Sequence, residues 1–174
     1  KIEGLMVEEV YKVGGLYDQQ LQNIIGHLKD AIPLAPKPFA KALKALIKWY
    51  ETGLEKDRQA FDIAWVQNRE SAVDTMNGFI EAYLDARGMK GAWEGVVYYA
   101  NHEKTDKIRA LATHAQWFED HLPVDPKYRK PKVEGVSAQA IEVVIETGDS
   151  GPITPIGVNL PNDQRIREQH GSKS

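Results

Sequence analysis

Between Phe61 and Asp85 the apolar residues change their period, and that change restricts the fold more than any other feature of the chain. Phe61, Ala64, Trp65 and Asn68 fall at i, i+3, i+4 and i+7, one face of a helix. After Ser71 the period becomes two. Val73, Thr75, Asn77, Phe79, Glu81 and Tyr83 then lie on one side, and Asp74, Met76, Gly78, Ile80, Ala82 and Leu84 on the other. A helix must therefore hand over to one long strand inside a short stretch. Asp74 and Asn77 sit near the start of that strand, where packing alone does not ask for them. Either they are a solvated strand end or they are functional.

The segments before the switch read as helical. Val7, Val10 and Tyr11 start in helical register. Gly14-Gly15 follows, and two glycines cost about 2 kcal/mol inside a helix, so a break belongs there. Asp18 can cap a second helix with Leu21, Ile24, Ile25, Leu28 and Ile32 as its stripe. Pro33, Pro36 and Pro38 make a stiff connector. Phe39, Ala42, Leu43, Leu46, Ile47 and Tyr50 give the cleanest pattern in the chain, and Gly53 is its stop. Residues 6–68 thus read as helices.

Beyond the switch, residues 85–91 form a glycine-containing loop. The run AWEGVVYYAN is ambiguous. Val96, Val97, Tyr98 and Tyr99 favour a strand by propensity, yet Trp93, Val96, Val97 and Ala100 have helical spacing. The same rhythm continues through Ile108, Leu111, Ala112, Ala115, Phe118 and Leu122. The spacing predicts one long helix over about 92–121, irregular near Asn101-His102. A second strand follows over 138–147, then a turn at 148–152. Residues 153–160 are extended and interrupted by Pro155. Asn162 can cap a last short helix through Ile166. The expected fold is α+β, with N-terminal helices packed with a small, mostly antiparallel sheet and one long helix. Residues 1–68 form the helical segment and 69–174 the α+β segment.

Composition excludes several functions. The 174 residues hold 22 basic and 25 acidic side chains, a net charge of −3 without a block of one sign. Nothing in that pattern calls for nucleic acid or an anionic membrane. Cysteine is absent, which removes disulfides and thiolate metal sites and is compatible with the cytoplasm. The first residues, Lys1-Ile2-Glu3, do not read as a signal peptide. The chain reads as a piece of something longer.

Four stretches carry a resemblance: WVQNRESAVDTMNGFIEAYLD, GMKGAWEGVV, AQWFEDHLPVDPKY and IGVNLPNDQRIREQHGSKS. In order and separation they resemble the central part of the dipeptidyl peptidase III family, over roughly residues 45–174. These are zinc metallopeptidases that release dipeptides from the amino termini of short peptides. The resemblance implies two lobes, one with a β-barrel core and one helical. On that basis the strands belong to the barrel lobe and the helix near 92–121 is an excursion into the helical lobe. It also implies zinc in the intact parent and none in this fragment, because the family's His-Glu-x-x-Gly-His motif is not in the sequence. Its nearest approach is His102-Glu103. His114 and His121 are two turns apart, about 10 Å along a helix, too far to share one ion.

What the resemblance leaves to this segment is substrate binding, with no catalytic and no metal-ligating residue. The family's acidic residue on the strand and the two amides of its Asn-x-Pro-Asn loop match Asp74, Asn159 and Asn162. A tyrosine that steadies the reacting carbonyl falls at Met76, which cannot donate a hydrogen bond. Either the register differs there or the donor comes from elsewhere, with Asn77 the neighbouring candidate. The implied partners are short peptides with a free amino terminus and the remainder of the parent chain. A scaffold that kept the fold as a structural or interaction domain and lost the chemistry is the alternative.

The missing ligand set makes a first prediction. Three protein ligands normally hold a catalytic zinc, so the purified chain should contain no stoichiometric zinc and should release no dipeptide from a chromogenic substrate. Zinc at one per chain, together with turnover, would contradict it.

Overall fold

The computed structural model describes residue 4 and residues 7–69, 71–133, 138–151 and 155–174. The chain divides into two compact units, Lys1–Ser71 and Ala72–Ser174.

The first unit is built on three helices, α1 (Asp18–Ala31), α2 (Lys37–Thr52) and α3 (Glu55–Gln67). The stripe read from the sequence is the buried face of α2: Ala42, Leu43, Leu46, Ile47 and Tyr50 are all buried. Gly53 ends the helix in the left-handed region at φ 66°, and its N–H donates to the Trp49 carbonyl at 2.7 Å. A residue with a side chain would be strained there. It would also press a Cβ to 2.7 Å from the Val10 side chain. Only Leu54 separates Gly53 from α3, so α2 and α3 form a tight hairpin, with the Trp49 and Phe61 rings stacked at 6.1 Å.

The first predicted helix does not form. Residues 7–17 are irregular, and residues 5 and 6 lie outside the described residues. Val13 N–H donates to the Tyr50 carbonyl at 2.8 Å, so the segment spends its backbone hydrogen bonds on α2 and on its own turns. Asp18 likewise points backwards. Its carboxylate accepts from Gly14 N–H at 2.6 Å instead of capping α1, which pulls its pKa below the ordinary aspartate value through Gln22 and Gly14.

The second unit is α+β. Strands β1 (Val73–Glu81), β2 (Ala92–Ala100) and β3 (Ile141–Gly148) form an antiparallel sheet in the order β1-β2-β3. Here the helix predicted over 92–121 is overturned: residues 92–100 are the central strand. Two shorter helices follow, α4 (His102–Ala112) and α5 (Ala115–Asp120). This central strand is hydrogen-bonded on both edges, and both of its faces carry apolar residues: Val96 and Tyr98 are buried on one, while Val97 and the exposed Tyr99 stand on the other. Its spacing then coincides by accident with a helical one, and the β propensity of Val96 to Tyr99 is the better guide. The chain changes state at Asn101, whose side chain caps α4 by accepting from Lys104 N–H at 2.9 Å. Asn101 N–H also donates to the Ala140 carbonyl at 2.8 Å, which fixes where β3 begins. At the far end of the excursion, the Arg129 guanidinium donates to the carbonyls of Asp120, Leu122 and Val124, closing the C-terminal end of α5.

The first strand is shorter than its period suggested, since β1 ends at Glu81 instead of Leu84. Of the extended stretch over 153–160, residues 153 and 154 lie outside the described residues, and among the described ones only Leu160 makes a bridge, with Lys173. The last helix, α6 (Gln164–His170), is capped by Asp163, whose carboxylate accepts from Arg165 N–H at 2.9 Å. Asn162 is therefore not the cap.

The turn after β3 depends on Gly148. It lies opposite Glu94 at φ 71°, and a Cβ there would sit 2.2 Å from the Trp93 carbonyl oxygen. Gly148→Ala should destabilise the chain by about 1–3 kcal/mol, from left-handed strain plus the clash. A urea denaturation followed by circular dichroism reads this as a lower midpoint; an unchanged midpoint would contradict the packing described.

Candidate functional site

The register of β1 against β2 sets out the floor of a cleft. Met76 lies opposite Val96 and Gly78 opposite Glu94, so Met76, Val96 and Glu94 share one face. Strict alternation would send Glu81 to the other face. A register shift between Phe79 and Glu81 intervenes, and a bulge of that kind re-aims the residues beyond it. Glu81 consequently lines the same cleft as Met76, Val96 and Glu94, a space of about 360 Å³. The turn after β3 supplies Asp149 and Ser150, and the loop before α6 supplies Asn159, Leu160 and Asn162, with Tyr83 at the margin.

The lining is negative. It contains Glu81, Glu94 and Asp149, and no lysine or arginine among the described residues. Burial pushes the Glu94 carboxyl above the ordinary glutamate value; the Ser150 hydroxyl, donating at 2.6 Å, pulls it back, and the charges of Glu81 and Asp149 add to the rise. A carboxylate raised in this way gains from any cation brought to it. The two amides are exposed and near at hand. Asn162 donates through Nδ2 to Glu81 Oε1 at 3.2 Å, which leaves its carbonyl oxygen free of partners among the described residues. Asn159 Oδ1 accepts from Ser174 Oγ at 3.2 Å and, as an amide oxygen, has a second lone pair.

Of the four residues singled out in the sequence, the structure thus brings Asn159 and Asn162 to one cleft. Asn77 is half-buried opposite Gly95 and is not among the lining residues. Asp74 is not among them either. It is 5% exposed, and its carboxylate is already occupied. It accepts from the Lys173 ammonium, from Thr75 N–H at 2.8 Å, and from the Tyr98 hydroxyl, which lies opposite it in the sheet. Burial pushes the Asp74 carboxyl up, and the Lys173 charge and the hydrogen bonds hold it down in part. Burial, reinforced by the Asp74 charge, pushes the Tyr98 phenol far above its ordinary value, so Tyr98 stays a donor.

The sequence reading missed Glu81, Glu94, Asp149 and Lys173. Only Glu94 left a legible signal, a lone charge inside the apolar run of β2. Among the described residues no group of three or more histidines or carboxylates could hold a metal ion. His114 and His121, which flank α5, turn Nδ1 to carbonyls four residues back, Ala110 at 2.8 Å and Trp117 at 2.7 Å. The described residues therefore do not fit the zinc implied by the resemblance. No helix among them is long and apolar enough to cross a membrane.

A sequence model described as peptidase family M49 matches residues 3–174. Dipeptidyl peptidase 3 of Dictyostelium discoideum is 31% identical, over 100% of this chain and 24% of its own length. Dipeptidyl peptidase 3 of Rattus norvegicus is 27% identical, over 92% of this chain and 21% of its own. The chain therefore spans about a fifth to a quarter of these curated relatives. The solved structure of DPP III from Caldithrix abyssi superposes with a TM-score of 0.85 at 22% identity, over 99% of this chain and 33% of that one, a likeness of fold.

The raised Glu94 carboxyl gives a pH prediction. The folded chain holds this proton more tightly than the unfolded chain, so its contribution to stability is complete at acid pH and is lost as pH rises through the folded value. Glu94→Gln keeps an oxygen for Ser150 and removes the titration. The stability of the variant relative to the parent chain should increase between about pH 4 and about pH 7. Urea midpoints at the two pH values measure it, and a constant difference would contradict the assignment.

Proposed function

We infer that this chain, which belongs to peptidase family M49, forms the part of a dipeptide-releasing peptidase that receives the free amino terminus of a short peptide. Membership makes it part of a peptidase; the receiving role is our own reading. The observation that carries it is the cleft over β1 and β2, with three carboxylates, two exposed amides and no cation among its described lining residues. An exopeptidase that cuts at a fixed count must hold the terminal ammonium at a fixed place. An ammonium has three donors and no acceptor, and it binds best where charged and neutral oxygens converge near 3 Å.

On this reading the roles divide. Glu81, Glu94 and Asp149 supply the attractive field and a partner of opposite charge. The carbonyl oxygens of Asn159 and Asn162 supply direction without further charge. Met76 and Val96 form an apolar floor that excludes water below the site and strengthens each electrostatic contact above it. Zinc would polarise the peptide carbonyl and activate water in such an enzyme. The described residues here do not hold it, and its ligands would come from the remainder of the parent chain. The absence of cysteine suits a cytoplasmic setting for the whole.

The test compares two peptides that differ only in a blocked amino terminus. In heteronuclear spectra of this chain, a tetrapeptide with a free amino terminus should shift the signals of Asn159, Asn162, Glu94 and Ser150. Its acetylated counterpart should not. Asn162→Ala should raise the dissociation constant for the free peptide by about ten- to a hundredfold, the worth of a hydrogen bond to a charged group. Equal response to both peptides, or none to either, would refute the assignment.

A further inference from the structure

The lysines of α2 form a charged ridge that has no part in the cleft. Lys37, Lys41, Lys44 and Lys48 are spaced by four, three and four residues, and all of them are exposed. At 3.6 residues per turn they fall within about 60° of one another around the axis and extend over about 16 Å of it. The buried face of Ala42, Leu43, Leu46, Ile47 and Tyr50 lies on the other side. Along the sequence these charges are diluted by apolar residues, and only the helix gathers them. Lys41 Nζ reaches Gln67 Oε1 at 3.5 Å, and none of the four lysines makes an ion pair among the described residues. Glu51 is the single carboxylate of α2. Other helices balance their charges: Arg58 pairs with Glu55 and Asp62 on α3, and Lys107 with Glu103 and Arg109 with Asp106 on α4. On α2 the lysines are instead each other's neighbours at i+3 and i+4, where like charges repel. Lys37 also stands in a first turn without an acidic residue, at the helix end that favours negative charge. The ridge therefore costs helix stability in a way that the other helices avoid.

We propose that this ridge is a docking surface for an acidic helix of a partner protein. It stands on α2 alone and is independent of the peptide-receiving role. The spacing suits a helix. Along the axis the lysines stand about 6, 4.5 and 6 Å apart, the intervals at which glutamates repeat on one face of a second helix laid alongside. One carboxylate can then meet each ammonium, turn by turn. The residue type favours carboxylates over nucleic-acid phosphates. The ridge holds lysines only, point charges on flexible stems. It has no arginine fork to grip a phosphate from two sides and no aromatic ring on which a base could stack. A separate partner fits better than a permanent cover from the same polypeptide. Permanent interfaces are apolar, and the ridge carries no large apolar side chain. Exposed ion pairs are individually weak and screened by salt, which makes a contact that forms and breaks readily.

The probe is an acetylated, amidated, alanine-rich helical peptide with glutamates at i, i+4, i+7 and i+11. Its blocked amino terminus keeps it out of a site for a free ammonium. In heteronuclear spectra it should shift the amide signals of Lys37, Lys41, Lys44 and Lys48 and leave those of β1 and β2 in place. Lys41→Gln or Lys44→Gln should raise the dissociation constant by about two- to fivefold, the worth of one exposed ion pair. The variant carrying Gln at all four positions should raise it by roughly twentyfold or more. Raising the salt from about 50 to about 300 mM should weaken binding as well. Because the fourfold variant removes lysine repulsion, its urea midpoint should equal or exceed that of the parent chain, which separates loss of binding from loss of fold. Four results overturn the proposal. One is no shift on α2. Another is equally tight binding of an oligothymidylate of the same charge, of anionic lipid vesicles, or of a peptide with its glutamates spread around the helix, since the ridge then reads charge alone. A lower urea midpoint in the fourfold variant would assign the lysines to the fold. Binding by this chain but not by the intact parent protein would place the occupant inside the parent.

Discussion

The antiparallel pairing of β1 with β2, including its one slip, is the constraint on which the rest of the second unit depends. Side chains on a strand alternate, so a register decides which of them share a surface. With Met76 opposite Val96 and Gly78 opposite Glu94, one face acquires an apolar floor and a carboxylate. The slip between Phe79 and Glu81 adds a second carboxylate that a regular ladder would have turned away. The end of β3 is tied to the same ladder, since Gly148 pairs with Glu94 and Asp149 N–H donates to the Trp93 carbonyl at 3.0 Å. Shift the register by one residue and the cleft loses its floor and its charges together.

Two acidic environments lie on that sheet, and they differ in what balances them. Asp74 is enclosed and fully engaged by Lys173, Thr75 and Tyr98. Its charge is compensated where it stands. Glu94 is half-buried, has among the described residues only the Ser150 hydroxyl to steady it, and has like charges beside it. A compensated carboxylate organises structure, whereas an uncompensated one at an open cleft invites a cation. The two environments belong to one ladder, four residues apart along it, at the pairs Asp74 with Tyr98 and Gly78 with Glu94.

Legibility in the sequence followed how local the cause was. The face of α2 was readable because a helix packed on one side buries residues at its own period, and Gly53 was readable because a left-handed stop favours glycine. Residues 92–100 were misread because apolar side chains stand on both faces of that strand, Val96 and Tyr98 on one and Val97 and Tyr99 on the other, which hides the alternation and leaves propensity as the only clue. The opening segment was misread because Val10 and Val13 are used against Gly53 and Tyr50, contacts that no window of a dozen residues contains. The exposed amides Asn159 and Asn162 were found through resemblance, and spacing alone gave no reason to join them to a strand some 80 residues away.

By itself the sequence determined what short-range physics controls: the helical hairpin, the change of period after Ser71, the α+β class, and the kinds of side chain available for a site. Tertiary structure decided which of those side chains meet. A one-residue slip turned Glu81 into the cleft, Asp163 took over the capping of α6 and left Asn162 to Glu81, and a lysine 99 residues further along the chain claimed Asp74. Each of these is a competition between partners brought together by the folded backbone. The winner is set by distance and burial in three dimensions, which no periodicity along the chain records.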